Sequence, residues 1–170
     1  MSRRTASEQL ENKKTVLQSL LHVFSIVVCF LILFGFVFLP WRVKGQDMSP
    51  SIRDGDLVVA LRLKKTFHRN DVVIYQAEGG RRVGRIAAKE QDTVDVTDEG
   101  RLRVNGSLQT EYNFYETKEK SEKLSCTVPE GCVYILVDNR SACLDSRDFG
   151  PIPVGKLEGI VFGLFRIRDF

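Results

Sequence analysis

The chemistry-bearing stretch of this chain is residues 43–52, Val-Lys-Gly-Gln-Asp-Met-Ser-Pro-Ser-Ile, with Asp47 near its centre. Gly45 tolerates unusual dihedrals and Pro50 fixes its own, so the backbone between them can present one side chain at a defined angle. A carboxylate presented in this way can share a proton with a second carboxylate around an activated water, and Asp145 is the candidate partner. It can equally do no chemistry and accept hydrogen bonds from nearby backbone donors. Ser49 and Ser51 offer hydroxyls beside it, but a serine nucleophile needs an adjacent base and no Lys or His is placed to serve them. Lys44 stands nearer the apolar segment with nothing to aim it inward. Lys89 is five residues beyond Gly84 and faces the other side of a strand of period two.

These residues must be positioned by a chain of 170 residues, a length that suits one domain plus a targeting segment. Residues 20–39 carry no charge, and about 20 helical residues cover a hydrocarbon core of roughly 30 Å. A helix of a soluble domain is rarely apolar on all sides for so long. A cleavable signal peptide would have a shorter apolar core and end at small residues, whereas Pro40-Trp41-Arg42 follow here. The expected organisation is a short cytosolic segment at 1–19, a transmembrane signal anchor at 20–39 and a β ectodomain at 40–170. Trp41 suits the headgroup level, so lipid contact is expected through 20–41. Arg3, Arg4, Lys13 and Lys14 before the span outnumber Arg42, Lys44 and Arg53 after it by one residue, favouring the amino terminus inside. A net charge of +3 gives no argument for nucleic acid.

The ectodomain reads as β. Apolar or alternating runs at 56–63, 71–75, 82–88, 93–96 and 102–104 predict strands. Asn105-Gly106 before Ser107-Leu108 is a hairpin signal. Residues 132–137 are apolar enough for a central strand, residues 159–167 are expected to close the sheet, and the charged 118–122 segment reads as a solvated excursion. His22 and His68 have no ligand-type neighbours at metal spacing, so no metal or cofactor is implied. Cys29 reads as apolar filler in the span. Cys126 and Cys132 flank a turn and are open to a disulfide or to two free thiols.

Three stretches together carry a resemblance. Gly45-x-Asp47-Met48-x-Pro50-Ser51 followed by Gly55-Asp56 resembles the nucleophile motif of type I signal peptidases, with Asp47 where that family has its serine. Residues 83–92, Val-Gly-Arg-Ile-Ala-Ala-Lys-Glu-Gln-Asp, resemble the strand that carries the general-base lysine, with Gly84 in the lysine's place. Residues 137–150 resemble the family's third motif without a gap: Asp138, Asn139, Arg140, Cys143, Asp145, Ser146 and Arg147 fall on its positions, and Cys143 replaces a serine. The resemblance covers roughly residues 20–165. It implies coiled antiparallel sheets behind a single amino-terminal transmembrane helix, and an Asp145–Arg147 ion pair bracing a cleft.

The resemblance also implies a substrate lying extended along Arg82, Val83 and Gly84, with Gly45, Gln46, Asp47 and Met48 opposite. Losing a member of a nucleophile–base unit typically costs on the order of 10⁴–10⁶ in rate, so the expectation is a chain with no catalytic residue that is not an enzyme. Glycine at 84 is expected to leave the cleft roomier, and Asp47 to suit a basic or hydroxyl-bearing peptide. The Asp–Gly combination resembles the catalytically degenerate signal-peptidase-like proteins of streptococcal pilus loci. That likeness implies a single-pass plasma-membrane protein with an extracellular ectodomain, partnered by a pilin subunit and a pilus sortase, which holds the pilin without cutting it. The alternative is an atypical, active type I signal peptidase cleaving pre-proteins with Asp47 in place of the serine nucleophile.

Overall fold

The computed structural model describes residues 6–63, 66–97, 102–109, 125–139 and 144–166. Ala6–Val37 form one helix, α1, of 32 residues. Its Glu11–Val37 portion has a mean hydropathy of 2.8 and is long and apolar enough to cross a membrane. Leu20, Phe24, Leu31 and Phe36 are all exposed, the pattern of a helix whose whole circumference suits lipid. The helix stops at Val37, so Phe38 and Leu39, read in the sequence as the end of the span, instead begin a strand. The apolar run passes from helix to strand with no polar break, and Pro40 cannot continue a helix.

The second unit starts at Phe38 and is mostly antiparallel sheet. Its strands are β1 (Phe38–Arg42), β2 (Leu57–Leu61), β3 (Val72–Ala77), β4 (Gly80–Lys89), β5 (Thr93–Val96), β6 (Leu102–Val104), β7 (Ser107–Leu108), β8 (Ser125–Thr127), β9 (Cys132–Leu136), β10 (Ile152–Pro153) and β11 (Leu157–Phe165). A four-residue helix, α2, spans Ser146–Phe149. The larger sheet runs β1-β2-β11-β3-β4-β9-β10 and the smaller β7-β6-β5-β8. β1 is an edge strand, which is where Pro40 can be accommodated opposite Val59. β11 lies inside the sheet between β2 and β3, although the sequence places it at the closing edge.

Strand alternation divides the core. Val73 and Tyr75 of β3, Ile86 of β4, Ile135 of β9 and Ile160 of β11 form one buried cluster, while Ile74 and Val83 face another with Val58, Ala60, Met48 and Ile52. A third cluster joins Ala88, Tyr134 and Leu136 to Val94, Leu102 and Val104 of the smaller sheet. β9 is apolar throughout because both of its faces are covered, Val133 and Ile135 by one cluster and Tyr134 and Leu136 by another. Asn105 and Gly106 turn β6 into β7 at φ of 51° and 77°, as their sequence predicts. Cys126 and Cys132 are free thiols. The charged 118–122 segment lies outside the described residues.

Candidate functional site: a groove beside Asp47

The loop between β1 and β2 is closed on itself. Val43 N donates to Asp56 O and Gly55 N to Val43 O, both at 2.9 Å, and Gly45 N donates to Asp54 Oδ1 at 2.7 Å. Gly45 has φ of +90° and Gly55 of +82°, backbone that a side chain would strain. Met48 is fully buried and fastens the loop to the core. Arg166 donates to Ser51 O at 3.2 Å and pairs with Asp56, tying the end of β11 to the loop's far side. Asp56 itself is buried, which pushes its carboxyl up, but the Arg53 N–H and the Arg166 guanidinium more than offset this and leave it below the usual range.

The third motif supports the same loop. Asn139 N donates to Asp47 O at 2.8 Å, and its side-chain amide to Gln46 O at 3.3 Å. The neighbouring Asp138 is buried and takes Arg85 at both oxygens, at 2.9 and 2.8 Å. Asp145 is buried, accepts from Arg147 Nε at 2.9 Å and Nη2 at 3.0 Å, and caps α2 through Arg147 N. Its Oδ2 also accepts Val137 N, at 3.2 Å. Ser146 Oγ accepts Ile135 N at 2.9 Å, so α2 is fastened to β9. Arg140 and Cys143 lie outside the described residues.

Between the loop and the first half of β4 lies a groove of about 190 Å³ lined by Trp41, Lys44, Asp47, Gly79, Arg81, Arg82 and Val83. β4 pairs with β3 over 80–85 and with β9 only over 85–89. The stretch before Arg85 therefore has a strand on one edge and, among the described residues, none on the other, which leaves room for an extended peptide to pair. Asp47 Oδ2 meets Arg82 Nη1 at 3.4 Å, and the same guanidinium lies 5.9 Å from the centre of the Phe149 ring. Burial pushes the Asp47 carboxyl up; Arg82 pulls it partly back and the Asp145 charge pushes it further up, for a net rise.

Of the residues expected in the cleft, Asp47, Arg82 and Val83 line the groove together. Gly45 and Gln46 are exposed loop residues, and Met48 is in the core. Gly84 is buried and does not enlarge the cleft as expected. A Cβ built on it would lie 2.5 Å from Ile135 Cγ2 and 3.2 Å from Tyr75 Cε1. Tyr75 thus covers the space beside Gly84, its hydroxyl buried without a hydrogen-bond partner among the described residues and its phenol pushed well up by burial and by the Asp145 charge. Asp145 is instead committed to Arg147, the ion pair that the resemblance implies, and with both of its oxygens engaged it does not share a proton with Asp47.

The sequence reading missed Trp41 and Lys44. Trp41, expected at lipid headgroups, is half-buried against the core below the loop and walls the groove. Lys44 reaches the same groove as Asp47, with the turn at Gly45 between them. Paired carboxyl and amine positions either side of a positive-φ glycine were the available signal.

Comparison with known proteins places the chain in a family. The model of the family described as "Signal peptidase, peptidase S26" matches residues 16–165, and the chain belongs to that family. It is 31% identical to signal peptidase IB of Staphylococcus aureus (strain COL) over 88% of each chain. It is 34% identical to probable thylakoidal processing peptidase 2, chloroplastic, of Arabidopsis thaliana over 71% of this chain, and spans 36% of that protein's length. A crystal structure of a signal peptidase I from Enterococcus faecalis is 24% identical, with a TM-score of 0.48 over 57% of this chain and 97% of that one.

These comparisons overturn the expectation that the chain is not an enzyme, since the relatives it matches are named as peptidases. Asp47 and Gly84 remove one route, a serine hydroxyl that attacks the carbonyl as a lysine amine takes its proton. They leave in place the groove, a titratable carboxylate and a strand edge that is unpaired among the described residues. Membrane association follows from the apolar helix and the family together.

Proposed function

We propose that this chain is an atypical signal peptidase, anchored by α1 in the plasma membrane with its sheet domain on the outer face, which cleaves exported pre-proteins with Asp47 in the nucleophile's position. The observation that carries this reading is the placement of Asp47 in the groove, half-buried and with its carboxyl pushed up, opposite a strand edge that has no partner among the described residues. A carboxyl held above its usual range is a better proton acceptor than an ordinary surface aspartate. In the proposed reaction Asp47 takes a proton from a water as that water's oxygen bonds to the scissile carbonyl carbon. It returns the proton to the leaving amine as the C–N bond breaks. Arg82, 3.4 Å away, offsets charge on the intermediate. A pilin subunit destined for a sortase, the partner implied by the resemblance, is proposed as one chain handled in this groove.

The test is cleavage of a pre-protein by the full chain in detergent micelles. Asp47→Asn keeps the shape and removes the proton acceptor, and is expected to lower turnover by about 10²–10⁴-fold. Cleavage that is unchanged in Asp47→Asn overturns the assignment.

A further inference from the structure

The groove beside Asp47 carries more positive than negative charge. Lys44, Arg81 and Arg82 line it against a single carboxylate, Asp47. Arg81 is spoken for, with Nη2 at 2.6 Å from Glu158. Arg82 is only loosely used, since its contact with Asp47 is 3.4 Å long and its buried Nε has no acceptor among the described residues. Lys44 has no ion pair or hydrogen bond among the described residues, and it lines the groove together with Trp41. A cleft in which two cations lack a full complement of acceptors attracts a negative group, and the low-dielectric wall of a tryptophan strengthens that attraction. This reverses the preference for a basic peptide that Asp47 alone suggests.

The size of the groove bounds what enters it. Its volume of about 190 Å³ falls short of the roughly 300 Å³ at which sites for drug-sized ligands begin. It takes one side chain of a peptide whose backbone runs along the open edge of β4. From these features we infer that the groove is a subsite for an acidic side chain, Asp or Glu, of the bound polypeptide, held between Lys44 and Arg82. The inference rests on the proposed function in taking the ligand to be an extended peptide, and it concerns binding, not cutting. A carboxylate seated there competes with Asp47 for Arg82, so an acidic residue in the peptide also changes the charge around the proposed reacting group.

Binding of fluorescent decapeptides to the full chain in detergent micelles separates the two. The peptides differ only at one central residue, Glu, Gln or Lys, and are compared at low and high salt. One half-exposed ion pair predicts about fivefold tighter binding of the Glu peptide than of the Gln peptide at low salt, shrinking at high salt. Lys44→Glu, on an exposed side chain that the fold does not depend on, is expected to reverse the order so that the Lys peptide binds best. Equal binding of the three peptides, or a preference that Lys44→Glu leaves in place, overturns the inference. A preference for Glu without any cleavage keeps the subsite and counts against the proposed function instead.

Discussion

Asp145 and Asp47 each face an arginine, at 2.9 Å in one case and 3.4 Å in the other. Around Asp145 every acceptor is filled: two guanidinium nitrogens, the Arg147 backbone N–H and the Val137 N–H converge on a carboxylate with no exposure. Asp138 is held likewise by Arg85. Around Asp47 one long contact does the same job, on a side chain 30% exposed. The same two residue types thus brace the sheet in one region and leave a carboxylate available in the other. A group that is to exchange a proton must not be saturated with donors, and of these three aspartates only Asp47 meets that condition.

The largest effect is expected in the brace. Asp138→Ala removes one partner of a buried pair and takes the carboxylate away from Arg85 Nε and Nη2, which should cost about 3–5 kcal/mol in denaturant unfolding. A loss under about 1 kcal/mol would mean that the two regions are not distinct. Next comes Gly84→Ala, whose new methyl meets Ile135 Cγ2 and the Tyr75 ring. Overpacking of this kind should destabilise by about 1–3 kcal/mol. Gly84→Lys should be at least as costly, so restoring a lysine here fails to rebuild a hydroxyl–amine site unless Tyr75 and Ile135 yield.

The smallest effect separates Asp47 from Asp56 by sign. The folded-state pKa of Asp47 lies above its unfolded value, so its contribution to stability is neutral in acid and turns unfavourable as pH rises through that window. Asp56 has the opposite shift and contributes stability that is lost as pH falls. Unfolding of Asp47→Asn against the native chain should therefore show the native chain losing ground from about pH 4 upward. Parallel curves would place Asp47 in an ordinary solvated setting.

Much of the fold is legible in the sequence because its signals are local. Apolar runs mark β2 to β4 and alternation marks β5 and β6, Asn105-Gly106 marks a turn, and Asp145 and Arg147 are near enough in sequence to be read as a pair. β1 is hidden because Phe38 and Leu39 continue the apolar run of α1, and strand or helix is decided there by pairing with Ala60 and Leu61. The groove is less legible. Lys44 and Trp41 come to Asp47 by a turn, while Arg81 and Arg82 arrive from a strand 35 residues away from Asp47. The space around Gly84 depends on Tyr75 and Ile135, which belong to two other strands. No motif encodes such a meeting; the register of β3, β4 and β9 does.

The most direct test is a pre-protein incubated with the full chain in micelles, native and Asp47→Asn, with the products resolved by mass. A single cleaved product from the native chain that falls by about 10²-fold or more in Asp47→Asn is the result expected. No product from the native chain, or the same product at the same rate from both, contradicts a groove that cuts through Asp47.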